Sequence, residues 1–122
     1  MKIPALNESE LAPFLNREEL IRLTAEQIKK DFDWFDFEIR FSGKAESAYA
    51  QLFSQIEPFI NKLISTNYEK LLSVLYRIDV SEKRISEAVN KSENISAEIT
   101  RLIIFRELQK VIIKKHYSSL NE

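Results

Sequence analysis

Apolar side chains recur along most of this chain at intervals of three and four, the spacing that gathers them on one face of an α-helix. Phe14, Ile21, Ala25, Ile28 and Phe32 form one such stripe and predict a first helix from Pro13 or Asn16 to Phe32. Pro13 suits a first-turn position, and Asn16 with Glu19 three residues later offers a capped alternative start. A second helix follows Ser42 and Gly43, carried by Ala45, Ala48, Leu52, Ile56, Ile60 and Leu63. Pro58 lies inside it and predicts either a kink near Gln55 or a fresh start, since proline lacks a donor and crowds the carbonyl four residues back.

Thr66 followed by Glu69 is a capping-box pattern and predicts a third helix through Leu71, Leu72, Leu75 and Ile78. Asp79 or Ser81 then caps a short fourth helix with Ile85 and Val89, ending in a polar turn at Asn90 to Asn94. The last helix, Ile95 to His116, has two apolar faces: Ile95, Ile99, Leu102, Ile103 and Ile113 on one, and Ile104, Leu108 and Val111 nearly opposite. A helix of this kind is either central to a bundle or offers one face to a second subunit.

Phe35 to Phe41 breaks the rhythm. Phe35, Phe37, Ile39 and Phe41 alternate with Asp36, Glu38 and Arg40, the period of a half-buried strand. Its only extended neighbour in the sequence is Lys2 to Leu6, so its edge needs covering by that piece or by the same strand of a two-fold partner. The fold class is therefore all-α, a four- to five-helix bundle with room for one short strand over residues 35–41. One domain spans residues 1–122, with about ten residues at the start and about five at the end frayed.

Composition supports that picture. With 122 residues, 44% of them hydrophobic and eight Phe, four Tyr and one Trp among them, the chain can fill a core. One Gly and three Pro are too few for the turns of an all-β domain. No cysteine is present, which excludes disulfides and thiolate chemistry and points to the cytoplasm. Met1 to Leu15 lacks the apolar stretch of a signal peptide, and the longest apolar run, Leu102 to Phe105, is far short of a membrane span.

Net charge is -1, with six Lys/Arg against nine Asp/Glu in residues 1–42 and twelve against ten in the remainder. That balance disfavours a polyanion partner. His116 stands alone and cannot make a usual zinc site. The run Asp31, Asp33, Asp36 and Glu38 lacks the glycine and terminal glutamate of a calcium loop, and reads as a solvated face behind buried aromatics. The Asn-x-Ser sequons at Asn7, Asn90 and Asn94 have no export signal to give them meaning. No metal, cofactor or catalytic residue is assigned.

Three functions fit these features. The leading one is a non-enzymatic protein that self-associates as a homodimer through Trp34, Phe37 and Ile39 of the aromatic segment and Ile104, Leu108 and Val111 of the last helix. The alternative is a nucleic-acid-binding regulator with a helix-turn-helix-like segment over residues 80–103, using Lys83, Arg84, Lys91 and Arg101. The third is a small enzyme or ligand carrier with a pocket inside the bundle.

Overall fold

The computed structural model describes residues 18–120, with side chains described through residue 115. These residues form α1 (Glu18–Asp33), a 3-10 turn (Ala45–Ser47), α2 (Ala48–Thr66), α3 (Tyr68–Ile78), α4 (Glu82–Lys91) and α5 (Ile95–Leu120). The protein is all-α, as its hydrophobic spacing predicts. The proposed helix starts at Pro13 and Asn16, the Lys2 to Leu6 piece and the His116 side chain lie outside the described residues.

Helix α5 settles the choice its two apolar faces pose. It packs chiefly against α2 and α1, and also against α3 and α4. Ile99, Ile103, Ile104 and Leu108 are all buried, so both faces are inside the bundle. Around them sit Ile28 and Phe32 of α1, Ile56 and Ile60 of α2, and Leu71, Val74 and Ile78 of α3. Each such side chain contributes roughly 1.5 to 3 kcal/mol by leaving water.

The expected strand at 35–41 does not form. The segment is extended and its alternation is real: Ile39 is buried, Phe35, Phe37 and Phe41 are half-buried, and Asp36, Glu38 and Arg40 face solvent. The hydrogen bonds, however, go to side chains of a helix. Gln55 Oε1 accepts from the Arg40 amide at 2.7 Å while its Nε2 donates to the Arg40 carbonyl at 2.6 Å. Gln51 Oε1 accepts from the Ser42 amide at 2.9 Å. Two primary amides, one helical turn apart, thus occupy the place of a partner strand.

Local chemistry also moves the boundaries. α2 runs through Pro58 without a break; the proline is exposed, so water can reach the Ser54 carbonyl that loses its donor. Thr66 closes α2, donating to the Lys62 carbonyl, and Asn67 caps α3 by accepting from the Lys70 amide at 3.1 Å. Ser81 caps α4 and Asn94 caps α5 in the same way.

Asp36 and Asp79 hold left-handed backbones, with φ of 58° and 67°. At both, the following amide bonds back five residues and the aspartate amide bonds back three, which is the Schellman ending of α1 and α3. Aspartate stands where glycine is commonest, its short side chain tolerating the conformation. The first ending seats Phe37 against Phe32, rings 5.9 Å apart edge to face, and stacks Phe37 on Phe59 of α2 at 4.2 Å.

Candidate functional site

Where α1, α3 and α5 meet, four ionisable side chains converge, the carboxylates Asp31 and Glu107 buried and the cations Arg77 and Lys110 half-buried. Asp31 is 4% exposed and Glu107 is fully buried, which corrects the expectation that Asp31 belongs to a solvated acidic face. Asp33, Asp36 and Glu38 do face solvent. Asp31 Oδ2 accepts from Lys110 Nζ at 2.9 Å and from Gln27 Nε2 at 3.2 Å, and Oδ1 lies 3.4 Å from Arg77 Nε. Desolvation pushes the Asp31 carboxyl up, but hydrogen bonding with Glu107, Lys110 and Gln27 and the Lys110 charge outweigh it and hold the group below its ordinary range.

Glu107 behaves oppositely. Lys110 Nζ is 2.5 Å from Oε1, yet neither carboxyl oxygen accepts a hydrogen bond of normal geometry. Burial, reinforced by the facing Asp31 carboxylate, pushes its pKa up to about 8. The arrangement suits a protonated Glu107 donating to an ionised Asp31, with Lys110 and Arg77 balancing the charge.

Arg77 carries this cluster to the surface. Its guanidinium carbon sits 4.5 Å from the centre of the Trp34 ring, a cation-π contact. Trp34 is nonetheless 70% exposed, because the Schellman ending of α1 turns it outward. Beside it, α3 presents an outer stripe of Tyr68, Leu72 and Tyr76, 57%, 47% and 89% exposed. The spacing of four puts all three on one side of the helix, opposite the inner face of Leu71, Val74 and Ile78. Trp34, Leu72, Tyr76 and Ile85 line one groove of about 750 Å³ between the end of α1, α3 and α4.

The six residues expected to form a self-association surface are not brought together. Ile39, Ile104, Leu108 and Val111 are buried, 3%, 1%, 0% and 7% exposed, and Phe37 is stacked on Phe59. Trp34 is the one large exposed member. The face expected on α5 is filled by neighbouring helices, and the exposed apolar face belongs to α3. Its four-residue spacing is visible in the sequence, but Leu72 reads there as one more core leucine. Glu107 also leaves a trace: it follows Ile103 by four and Ile104 by three, a carboxylate inside an apolar stripe.

Lys83, Arg84, Lys91 and Arg101 are brought together, in a groove of about 590 Å³ between α4 and the start of α5. Arg101 pairs closely with Glu98 one turn before it, and partial burial lowers its pKa. The helix-turn-helix comparison meets a difficulty at α5. Ser96, Ile99, Thr100, Leu102 and Ile103 are buried, so the first turns of that helix are packed where a recognition helix must be free to enter a groove. The interior that a bundle pocket would need is occupied by Phe32, Ile28, Ile56, Ile60 and Leu108, all fully buried.

Among the described residues no helix is long and apolar enough to cross a membrane, and no group of His, Cys, Asp and Glu is placed to hold a metal ion. Comparison with known protein families, with curated proteins and with solved structures finds no match.

Proposed function

We propose that this protein is a non-enzymatic interaction protein that pairs with a second copy of itself through the outer face of α3 and the adjoining Trp34. The observation that carries the reading is the exposed stripe Tyr68, Leu72, Tyr76. Large apolar side chains aligned on the outside of a helix cost solubility, and aromatic residues beside an arginine are the side chains that dominate protein contacts.

The stripe favours self-pairing because it reads the same in both directions about Leu72. Two α3 helices packed antiparallel on a two-fold axis place Tyr68 of each copy against Tyr76 of the other and the two Leu72 side chains together. A patch this small suits a reversible association of micromolar strength. The setting implied is the cytoplasm, where a chain with no cysteine needs no oxidising compartment.

Sedimentation equilibrium through the micromolar range tests the proposal. A species of twice 14.3 kDa is expected to build up with concentration. Trp34 is the sole tryptophan, so its emission should shift to the blue over the same range. Leu72→Asp, at a position exposed in the monomer, should keep the helical circular dichroism and abolish both changes. A 14.3 kDa species at every concentration, or a dimer indifferent to Leu72→Asp, overturns it.

A further inference from the structure

We propose that the groove between α4 and α5 is a binding site for a small phosphate-bearing anion. Arg84, Glu87 and Lys91 lie three, four or seven residues apart and so share one face of α4, which forms one wall. Arg101 and Glu98 on α5 form the other wall, and the buried Ala88 and Leu102 contribute an apolar floor. With Lys83, the lining offers four cations to two carboxylates, a surplus of two positive charges on a chain whose net charge is -1.

The chemistry of those side chains selects the ligand class. Arginine forks match phosphate oxygens in pairs, and lysines add mobile point charges, so a doubly charged phosphate suits the surplus better than a single carboxylate does. Glu98 is already committed to Arg101, which fixes the guanidinium in place. Size agrees as well: about 590 Å³ falls within the usual range for small-molecule sites. A nucleic-acid backbone is a poorer occupant, because it needs a continuous positive track and Glu87 and Glu98 interrupt this one.

A titration of the full chain with inorganic pyrophosphate at low salt, followed by two-dimensional amide NMR, tests the site. Saturable shifts are expected over Ser81 to Ser92 and Glu98 to Leu102. The exposed double variant Lys83→Gln/Lys91→Gln should keep its helical circular dichroism and bind about tenfold more weakly, as loss of charge-assisted contacts predicts. Three results overturn the proposal: shifts that fail to saturate, shifts equally large at Lys114 and Lys115, or unchanged affinity in the double variant. A fourth is tighter binding of a mixed-sequence DNA duplex than of pyrophosphate at the same salt, which would hand the groove to nucleic acid.

Discussion

Glu107→Gln removes one titration from the centre of the bundle while keeping nearly the same volume and hydrogen-bonding outline. Glu107 sits on α5 facing Asp31 of α1, with Lys110 one turn further along α5 and Arg77 reaching in from α3. Its carboxyl holds a proton up to about pH 8, whereas the unfolded chain releases it near 4.5. The folded state therefore binds more protons across that window, and the stability this group confers is fully present below 4.5 and lost as pH rises through 8. Between about pH 5 and about pH 8 the loss amounts to roughly 3 kcal/mol, at about 1.4 kcal/mol for each pH unit in which only the unfolded state has ionised. Asp31 works in the other direction: its carboxyl is lowered, so its contribution is present above the ordinary aspartate range and lost as pH falls through the folded value.

A loss of about 3 kcal/mol is a large fraction of the 5 to 15 kcal/mol that holds a typical domain folded, so urea unfolding followed by circular dichroism resolves it. The wild-type midpoint should fall steadily from about pH 5 to about pH 8. In Glu107→Gln the amide can donate to Asp31 as a protonated acid does, and position 107 no longer titrates. The variant should match the wild type near the acid end within about 1 kcal/mol and exceed it by roughly 2 to 3 kcal/mol near the alkaline end. A wild-type midpoint that stays level or rises over that interval refutes the reasoning. So does a variant weakened equally at both ends.

Two further substitutions probe the packing. Leu108→Ala should lower stability by about 3 kcal/mol in denaturant unfolding and leave the sedimentation behaviour of the folded protein unchanged, because a fully buried leucine leaves a cavity and no surface. Gln55→Leu removes the amide that stands in for a partner strand; a loss of about 1 to 2 kcal/mol is expected, together with faster hydrogen exchange at the Arg40 amide, and protection equal to wild type would contradict that role.

The helices were legible because each has a buried face written in threes and fours, but the two apolar faces of α5 fitted a central helix and a subunit contact equally, and only the packing of Ile104, Leu108 and Val111 inside the bundle decides for the first. What was not legible followed from partners distant in sequence. The alternation of Phe35 to Phe41 correctly marks an extended half-buried segment, but a period of two cannot say whether the amides meet another backbone or the side chains of Gln51 and Gln55. Asp31 looked like its neighbours Asp33 and Asp36, since only the fold brings Lys110, seventy-nine residues away, to within 2.9 Å. The basic set Lys83, Arg84, Lys91 and Arg101 was recoverable because α4 and the start of α5 are joined by a short turn, so nearness in sequence is nearness in space.

The buried charges also bear on why the exposed face sits where it does. Ionic groups taken out of water gain little over well-packed apolar ones, so their presence asks for a role beyond cohesion. Here the network ends on Arg77, and Arg77 is the residue on which the Trp34 ring rests. Arg77 Nε lies 3.4 Å from Asp31 Oδ1 and its guanidinium carbon 4.5 Å from the centre of the Trp34 ring, so one cation links the interior carboxylate to the exposed tryptophan. Rigid aromatic anchors bind with less ordering cost than mobile ones. The same carboxylate therefore lies in the middle of one chain of contacts, facing Glu107 inside the bundle and the arginine beneath the tryptophan outside it. Apolar side chains of equal volume at Asp31 and Arg77 could preserve the bundle, but they would leave the Trp34 ring without its cation-π contact.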